Sequence, residues 1–219
     1  MSGEDATPPP GEGLRADARR NRERIMEAAA EVFAEGGVDS GMAEVARRAG
    51  VGHATLFRRF PTKEALLIEL LRQRMGQLHD AAAHEATVEP RGEALERFMP
   101  QLAAHFADRG FRDTSVMACV FAPELDEARR GFAARISRLL ELGKEAGRIR
   151  DDISEEDVFF LCRAVSHRFN EKHRDPQLWR RYLGLVLDGM RATEAPPLSP
   201  PSPSLAELEA RLVEERSAS

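Results

Sequence analysis

The sequence predicts an all-α protein of nine to ten helices: an N-terminal three-helix unit with a helix-turn-helix, then a helical bundle. Three observations carry that prediction. Apolar residues recur three and four apart through most of the 219 residues. The period-two alternation of a half-buried strand persists nowhere. Glycine, proline and hydroxyl residues fall between the periodic stretches, where helices stop and start.

Residues 1–14 are acidic and proline-rich and are expected to form a disordered tail. The first helix follows from Arg15 to Glu35, with Ile25, Ala29, Val32 and Phe33 on one face and Gly36-Gly37 at its end. Ser40 is placed as the cap of a short second helix whose Met42, Val45 and Ala46 face inward. Gly50 ends it, and a third helix runs from His53 to Phe60. Pro61-Thr62 starts a long fourth helix near Lys63, striped with Leu67, Leu70, Leu71, Met75 and Leu78. Pro90 and Gly92 precede a fifth, ending at Ala107, and Arg109 to Phe121 make a sixth. Pro123-Glu124 opens a seventh with Phe132, Ile136, Leu139, Leu140 and Leu142 inside, and Gly147 stops it. Ser154 to Asp157 carry the N-cap signature of an eighth. Pro176 stands in the first turn of a ninth. Residues 195–204 read APPLSPPSPS, an extended linker. Ser204 and Glu207 box a short tenth helix bearing Leu205, Leu208 and Leu212. The expected division is tail 1–14, helix-turn-helix unit 15–61, helical bundle 62–193, and linker with short helix 194–219.

Composition narrows the function classes. The two cysteines, Cys119 and Cys162, are too far apart in sequence to suggest a disulfide framework. The first residues lack the apolar block of a signal peptide, and no run approaches the roughly 20 apolar residues that span a bilayer. A cytoplasmic protein without membrane contact is expected. The net charge of −5 is unevenly spread: residues 15–75 hold twelve bases against nine acids, and both flanks are acidic. A polyanion partner therefore belongs with residues 15–75. No His, Cys or acid cluster has metal-ligand spacing and no phosphate loop or nucleophile–base pair appears, so no metal, cofactor or catalysis is expected.

The stretch Ala49 to Leu66 reads AGVGHATLFRRFPTKEAL. In a helix-turn-helix the first helix braces a second that lies in the DNA major groove. Ala46 supplies the small crossing residue, Gly50 the backbone reversal and Val51 the plug between helices. Leu56 and Phe60, four apart, anchor the third helix to the core. The opposite face offers His53, Ala54, Thr55 and Arg58. His53 and Thr55 reach base edges, and Ala54 or the Thr55 methyl suits a thymine methyl. Arg58, Arg59 and Lys63 suit phosphates, and the start of the fourth helix adds a positive dipole end.

With the preceding RIMEAAAEVFAEGG, the segment MAEVARRAGVGHATLFRRFPTKEAL resembles the DNA-binding domain of the TetR family, the tetracycline-repressor-like regulators. The helical remainder, including RRYLGLVLDGMRA, is similar to the ligand-binding and dimerising domain of many actinobacterial members. The resemblance covers residues 15 to 193. It implies that Ser40 caps the second helix and touches phosphate. It puts His53 where the recognition helix begins to read bases, Thr55 and Phe57 at backbone or base, and Arg58 and Lys63 at phosphate. Two residues depart from the pattern: Gly52 replaces a usual Ser or Thr, and Phe57 a usual Tyr, whose hydroxyl is lost. Arg15, Arg19, Arg20 and Arg22 form an arm expected to add contacts to the duplex.

The ninth helix is apolar around most of its girth. Leu178, Tyr182, Leu185 and Gly189 form one stripe; Trp179, Leu183, Val186 and Met190 form another. Breadth of this kind implies burial on two sides, by the domain core and by a second subunit. Phe159, Leu178, Trp179, Tyr182, Val186 and Met190 are the expected dimer residues. A two-fold dimer presents two recognition helices to a palindromic operator in double-stranded DNA. The resemblance further implies a small-molecule effector inside the bundle, with Leu71, Met75, Phe106, Met117, Cys119, Phe121 and Cys162 as wall and His167 to orient a polar group. The expected function is a homodimeric repressor released from its operator by that effector. The rivals are a helical protein-interaction adaptor that has lost DNA binding and an all-α enzyme.

Overall fold

The first helix, α1, spans Glu12–Gly36. The computed structural model describes residues 12–37, 39–107, 122–172, 178–192, 194, 196–203 and 207. The start of α1 falls inside the expected tail, because the proline run stops at Pro10 and the next proline is Pro61. Then come α2 (Met42–Ala49), α3 (His53–Arg59) and α4 (Lys63–Glu85). A 3-10 turn at Arg91–Glu93 leads into α5 (Ala94–Ala107). Another at Pro123–Leu125 leads into α6 (Asp126–Glu145). The last two are α7 (Glu155–Lys172) and α8 (Leu178–Met190). The expected seventh to ninth helices are thus α6 to α8. The expected sixth helix, Pro176 and the Leu205, Leu208 and Leu212 segment lie outside the described residues. Among the described residues there is no strand, only an isolated bridge between Ile149 and Arg191.

Two apolar cores form. The first gathers Ile25, Ala29, Val32 and Phe33 of α1, Val45 and Ala46 of α2, Leu56 of α3, and Leu66, Leu67, Leu70 and Leu71 of α4. The second gathers Phe98 and Leu102 of α5, Ile136 and Leu139 of α6, Val158 and Cys162 of α7, and Trp179 and Leu183 of α8. Each buried Leu or Phe contributes about 1.5–3 kcal/mol of transfer free energy, so both cores are substantial. The helix α4 serves both. Its first half seals the small unit, while Ala82 is buried in the bundle with Leu78 packed beside it.

Polar side chains tie the ends of the bundle helices. Arg97 on α5 reaches back to the Glu85 carboxylate at 2.8 Å and donates to the carbonyls of Glu85, Val88 and Pro90. Arg148, after α6, makes a bidentate pair with Glu96 at 3.0 Å. At the start of α7 the Ser154 hydroxyl accepts from the Asp157 N–H, and the Asp157 carboxylate accepts from the Ser154 N–H. This is a reciprocal capping box closed by Asp.

The proline-rich segment expected to be an extended linker is docked. The Leu198 N–H donates to Asp152 at 2.6 Å, and Arg150 donates to the Pro196 carbonyl at 2.9 Å. The Ser202 hydroxyl meets both Ser154 and Asp157. Composition made the segment extended and poor in internal hydrogen bonds. Its unpaired backbone groups are met by side chains placed around the start of α7.

Candidate nucleic-acid interface

The helix α2 is a brace. Val45, Ala46 and Ala49 are buried against α1, small enough to bring the backbones close. Gly50 takes φ +63°, the left-handed region that glycine enters without steric cost. The N–H of Gly50 donates to Arg47 and that of Val51 to Ala46, closing the helix end. Val51 then packs on the first core, and Gly52 starts α3 in extended backbone.

Within α3 the two faces separate cleanly. Leu56 is fully buried and Phe60, just past the helix, is buried with it. His53, Ala54, Phe57, Arg58 and Arg59 are exposed, and Thr55 is half-buried. The rings of His53 and Phe57 pack at 4.5 Å between centroids. Beyond the helix, the Thr62 hydroxyl accepts from the Ala65 N–H at 3.0 Å and caps α4. Lys63, the next residue, has its ammonium 5.9 Å from the Phe33 ring centroid. His53, Ala54, Phe57 and Arg58 therefore share an open surface with Lys63 at its edge.

The charges around this surface are of two kinds. Arg47 makes two hydrogen bonds to Glu44, at 2.6 and 2.8 Å. Arg48 meets Glu35 at 2.8 Å, Glu44 at 3.4 Å and Glu31 at 3.9 Å. The hydrogen bond from Arg47 holds the Glu44 carboxyl below its ordinary value. Arg58 and Arg59, by contrast, have no acidic partner among the described residues. Positive charge without an internal counterion is what an outside anion requires.

Ser40 does not cap α2. The N-cap is Gly41, with no side-chain hydrogen bond, and the Ser40 hydroxyl donates to the Val32 carbonyl at 3.4 Å. One extra residue before the helix turned the hydroxyl toward α1, leaving Thr62 as the capping hydroxyl nearest to α3. Sequence reasoning placed Pro61-Thr62 at the start of this helix without assigning the cap to Thr62; a hydroxyl directly before Lys-Glu was the available signal. The expected arm is part of α1 and is internally paired: Arg20 with Asp17, Arg19 with Glu23, and Arg22 with Glu69 of α4. The Arg15 side chain lies outside the described residues.

The described candidates for the effector site divide between the two cores. Leu71 belongs to the first core, because it shares one stripe of α4 with Leu67 and Leu70. Phe106 and Cys162 are packed into the second. The Cys162 thiol donates to the Met99 carbonyl at 3.7 Å, and burial pushes its pKa up to about 12. Such a thiol is inert at neutral pH. Met75 lines a cleft of about 420 Å³ between α4 and α6, with Arg72, His79 and Glu127. Met117, Cys119, Phe121 and the side chain of His167 lie outside the described residues.

The expected dimer residues divide in two. Trp179 and Met190 are buried in their own subunit's core, at 5% and 1% exposure, and Val186 packs beside them. That stripe of α8 faces inward. The other is more open: Leu185 is 60% exposed and Leu178 half-buried, while Tyr182 is half-buried and packs on the second core. Phe159 packs edge-on against Phe106 on one side and Phe160 on the other. Phe160, which the sequence reading left out of the interface, is exposed on α7. Its signal was the i, i+4 pairing with Ala164 on the face opposite Val158, Cys162 and Val165.

Two family models match the chain. "Bacterial regulatory proteins, tetR family" matches residues 25–70, and "Transcriptional regulator SbtR-like, C-terminal domain" matches residues 89–192. The HTH-type transcriptional regulator AqdR of Rhodococcus erythropolis is 33% identical over 174 residues, covering 74% of this chain and 80% of that protein. The solved TetR transcription regulatory protein from Mycobacterium vanbaalenii is 31% identical at a TM-score of 0.58, covering 81% of this chain and 99% of that one. A TetR transcriptional regulator from Streptomyces coelicolor is 30% identical at a TM-score of 0.59, covering 78% and 99%.

Proposed function

The chain belongs to the TetR family and is a DNA-binding transcriptional regulator, not an enzyme; from that premise we propose that it is a homodimeric repressor of cytoplasmic DNA, released from a palindromic operator by a small-molecule effector. Residues 15–61 act as the DNA-binding domain and residues 62–193 as the sensor and dimer domain, with 1–14 and 194–219 as flanks. His53, Thr55 and Ala54 address base edges; Arg58 and Lys63 address phosphate, with Ser40 and Arg20 at the margin. One observation carries this reading. The outer face of α3 exposes His53, Ala54, Phe57 and Arg58 while Leu56 fixes its inner face, and its arginines lack internal partners among the described residues.

Exposed Leu185 on α8 and Phe160 on α7, with Leu178 half-buried, support pairing through α7 and α8. A two-fold pair sets the recognition helices about one DNA turn, roughly 34–36 Å, apart. Shared by both cores, α4 is the lever. An effector that binds a splayed dimer better than the DNA-competent one draws the population off the operator. The test is selection of DNA fragments by the purified protein, with and without cell extract, followed by gel shifts. Enrichment of a palindrome, with affinity that falls steeply with salt, supports the reading. Failure to enrich any sequence would favour the adaptor.

A further inference from the structure

Four large apolar side chains are exposed among the described residues: Phe57, Phe160, Leu185 and Leu198. Phe160 and Leu185 lie on the face proposed for the second subunit, and Leu198 is in the docked C-terminal segment. Phe57 stands on the outer face of α3, 37% exposed, where burial in this chain does not account for it. A single exposed apolar side chain is ordinary by itself; this one matters because it stands on the face of α3 that the proposed function turns toward DNA.

Three facts narrow what covers it. Arg58 and Arg59 follow the ring in α3, exposed and without an acidic partner among the described residues, which suits a duplex and disfavours an apolar protein groove. The phenyl group has no donor or acceptor, so it neither bonds a phosphate nor reads a polar base edge. The ring is also propped. His53, one turn earlier on the same face, packs against it with the planes tilted by 41°, which restricts how far it can swing. On the major-groove edges of the four standard base pairs the apolar group is the C5-methyl of thymine.

We infer that Phe57, held by His53, is a specificity residue that reads a thymine methyl at one position in each operator half-site. The inference rests on α3 being the recognition helix. His53 has a positioning role toward Phe57 in addition to its own reach toward base edges.

Deoxyuridine lacks only that methyl, which makes the test direct. A duplex selected by the full-length protein is remade with deoxyuridine in place of each thymine in turn. Binding is then measured for wild type, Phe57→Ala and Phe57→Leu. One thymine per half-site is expected at which the exchange weakens wild type about fourfold, the worth of one buried methyl. At that thymine Phe57→Ala binds both duplexes equally and Phe57→Leu keeps part of the difference; elsewhere all three respond alike. Equal penalties in wild type and Phe57→Ala at every thymine would overturn the inference while leaving DNA binding intact. If wild type selects no sequence at all, the reading of α3 falls and this assignment with it. Thermal melting of both variants near that of wild type is expected, because the side chain is exposed.

Discussion

The dipeptide Arg-Arg occurs in two adjacent helices, at Arg47-Arg48 on α2 and at Arg58-Arg59 on α3. The two pairs end differently. Around the α2 pair three glutamates close on the guanidinium groups: Glu44 from α2 itself, and Glu31 and Glu35, through which Arg48 straps α2 to α1. On α3 no described acid comes near, and the charges face solvent beside His53 and Phe57. The brace is electrostatically closed and the reader is open. A cluster of arginines is therefore not itself a nucleic-acid footprint; what matters is whether the fold has already supplied its counterions.

The comparison depends first on Leu56, which holds α3 with its basic face outward. Leu56→Ala should cost about 3 kcal/mol of stability, read as a lower urea midpoint, and operator binding should fall with it. A stable Leu56→Ala that still binds DNA would mean that the open face is not fixed by this anchor. The contrast itself is tested next. Arg58→Ala should weaken binding to all sequences by up to about tenfold near 0.1 M salt and lower the salt slope by about one. Arg47→Ala should change it far less, since its charge is already matched. The reverse outcome would exchange the roles assigned to the two helices.

A smaller effect separates the two hydroxyls near α3. Thr62→Ala should cost about 1 kcal/mol, as the loss of a helix cap does, and Ser40→Ala less, because its hydroxyl caps nothing. Thermal melts of the two variants compare them directly. The smallest effect concerns pH. The hydrogen bond from Arg47 lowers the Glu44 carboxyl, so its contribution is complete above the ordinary carboxylate value. It is lost as the pH drops through the lowered folded value. Glu44→Gln should therefore be slightly less stable than wild type at neutral pH, and the two should converge in acid. A gap that persists at low pH would show that the Glu44 pairs are not ionic in effect.

Much of the site was legible in the residue pattern. Leu56 and Phe60 at i and i+4, the Ala46–Gly50–Val51 turn, and the outward His53, Ala54 and Arg58 all follow from helical spacing and lie where it puts them. The bundle half was far less legible. Its helices could be read but not its packing: Leu71 joins the first core, and Phe106 and Cys162 join the second. A helix that is apolar over a broad arc states how much must be covered. It does not state by which neighbour.

The same limit divides the whole molecule. By itself the sequence determined the all-helical class, the helix faces, the helix-turn-helix and the family, because each depends on residues within a few turns of one another. Tertiary structure alone decided which Arg-Arg pair stays open, that Trp179 and Met190 turn inward while Leu185 stays out, that Ser40 bonds to α1, and that residues 196–203 dock on the start of α7. Those outcomes rest on partners brought together from separate helices. Local periodicity fixes the direction in which a side chain points and carries no information about what will be waiting there.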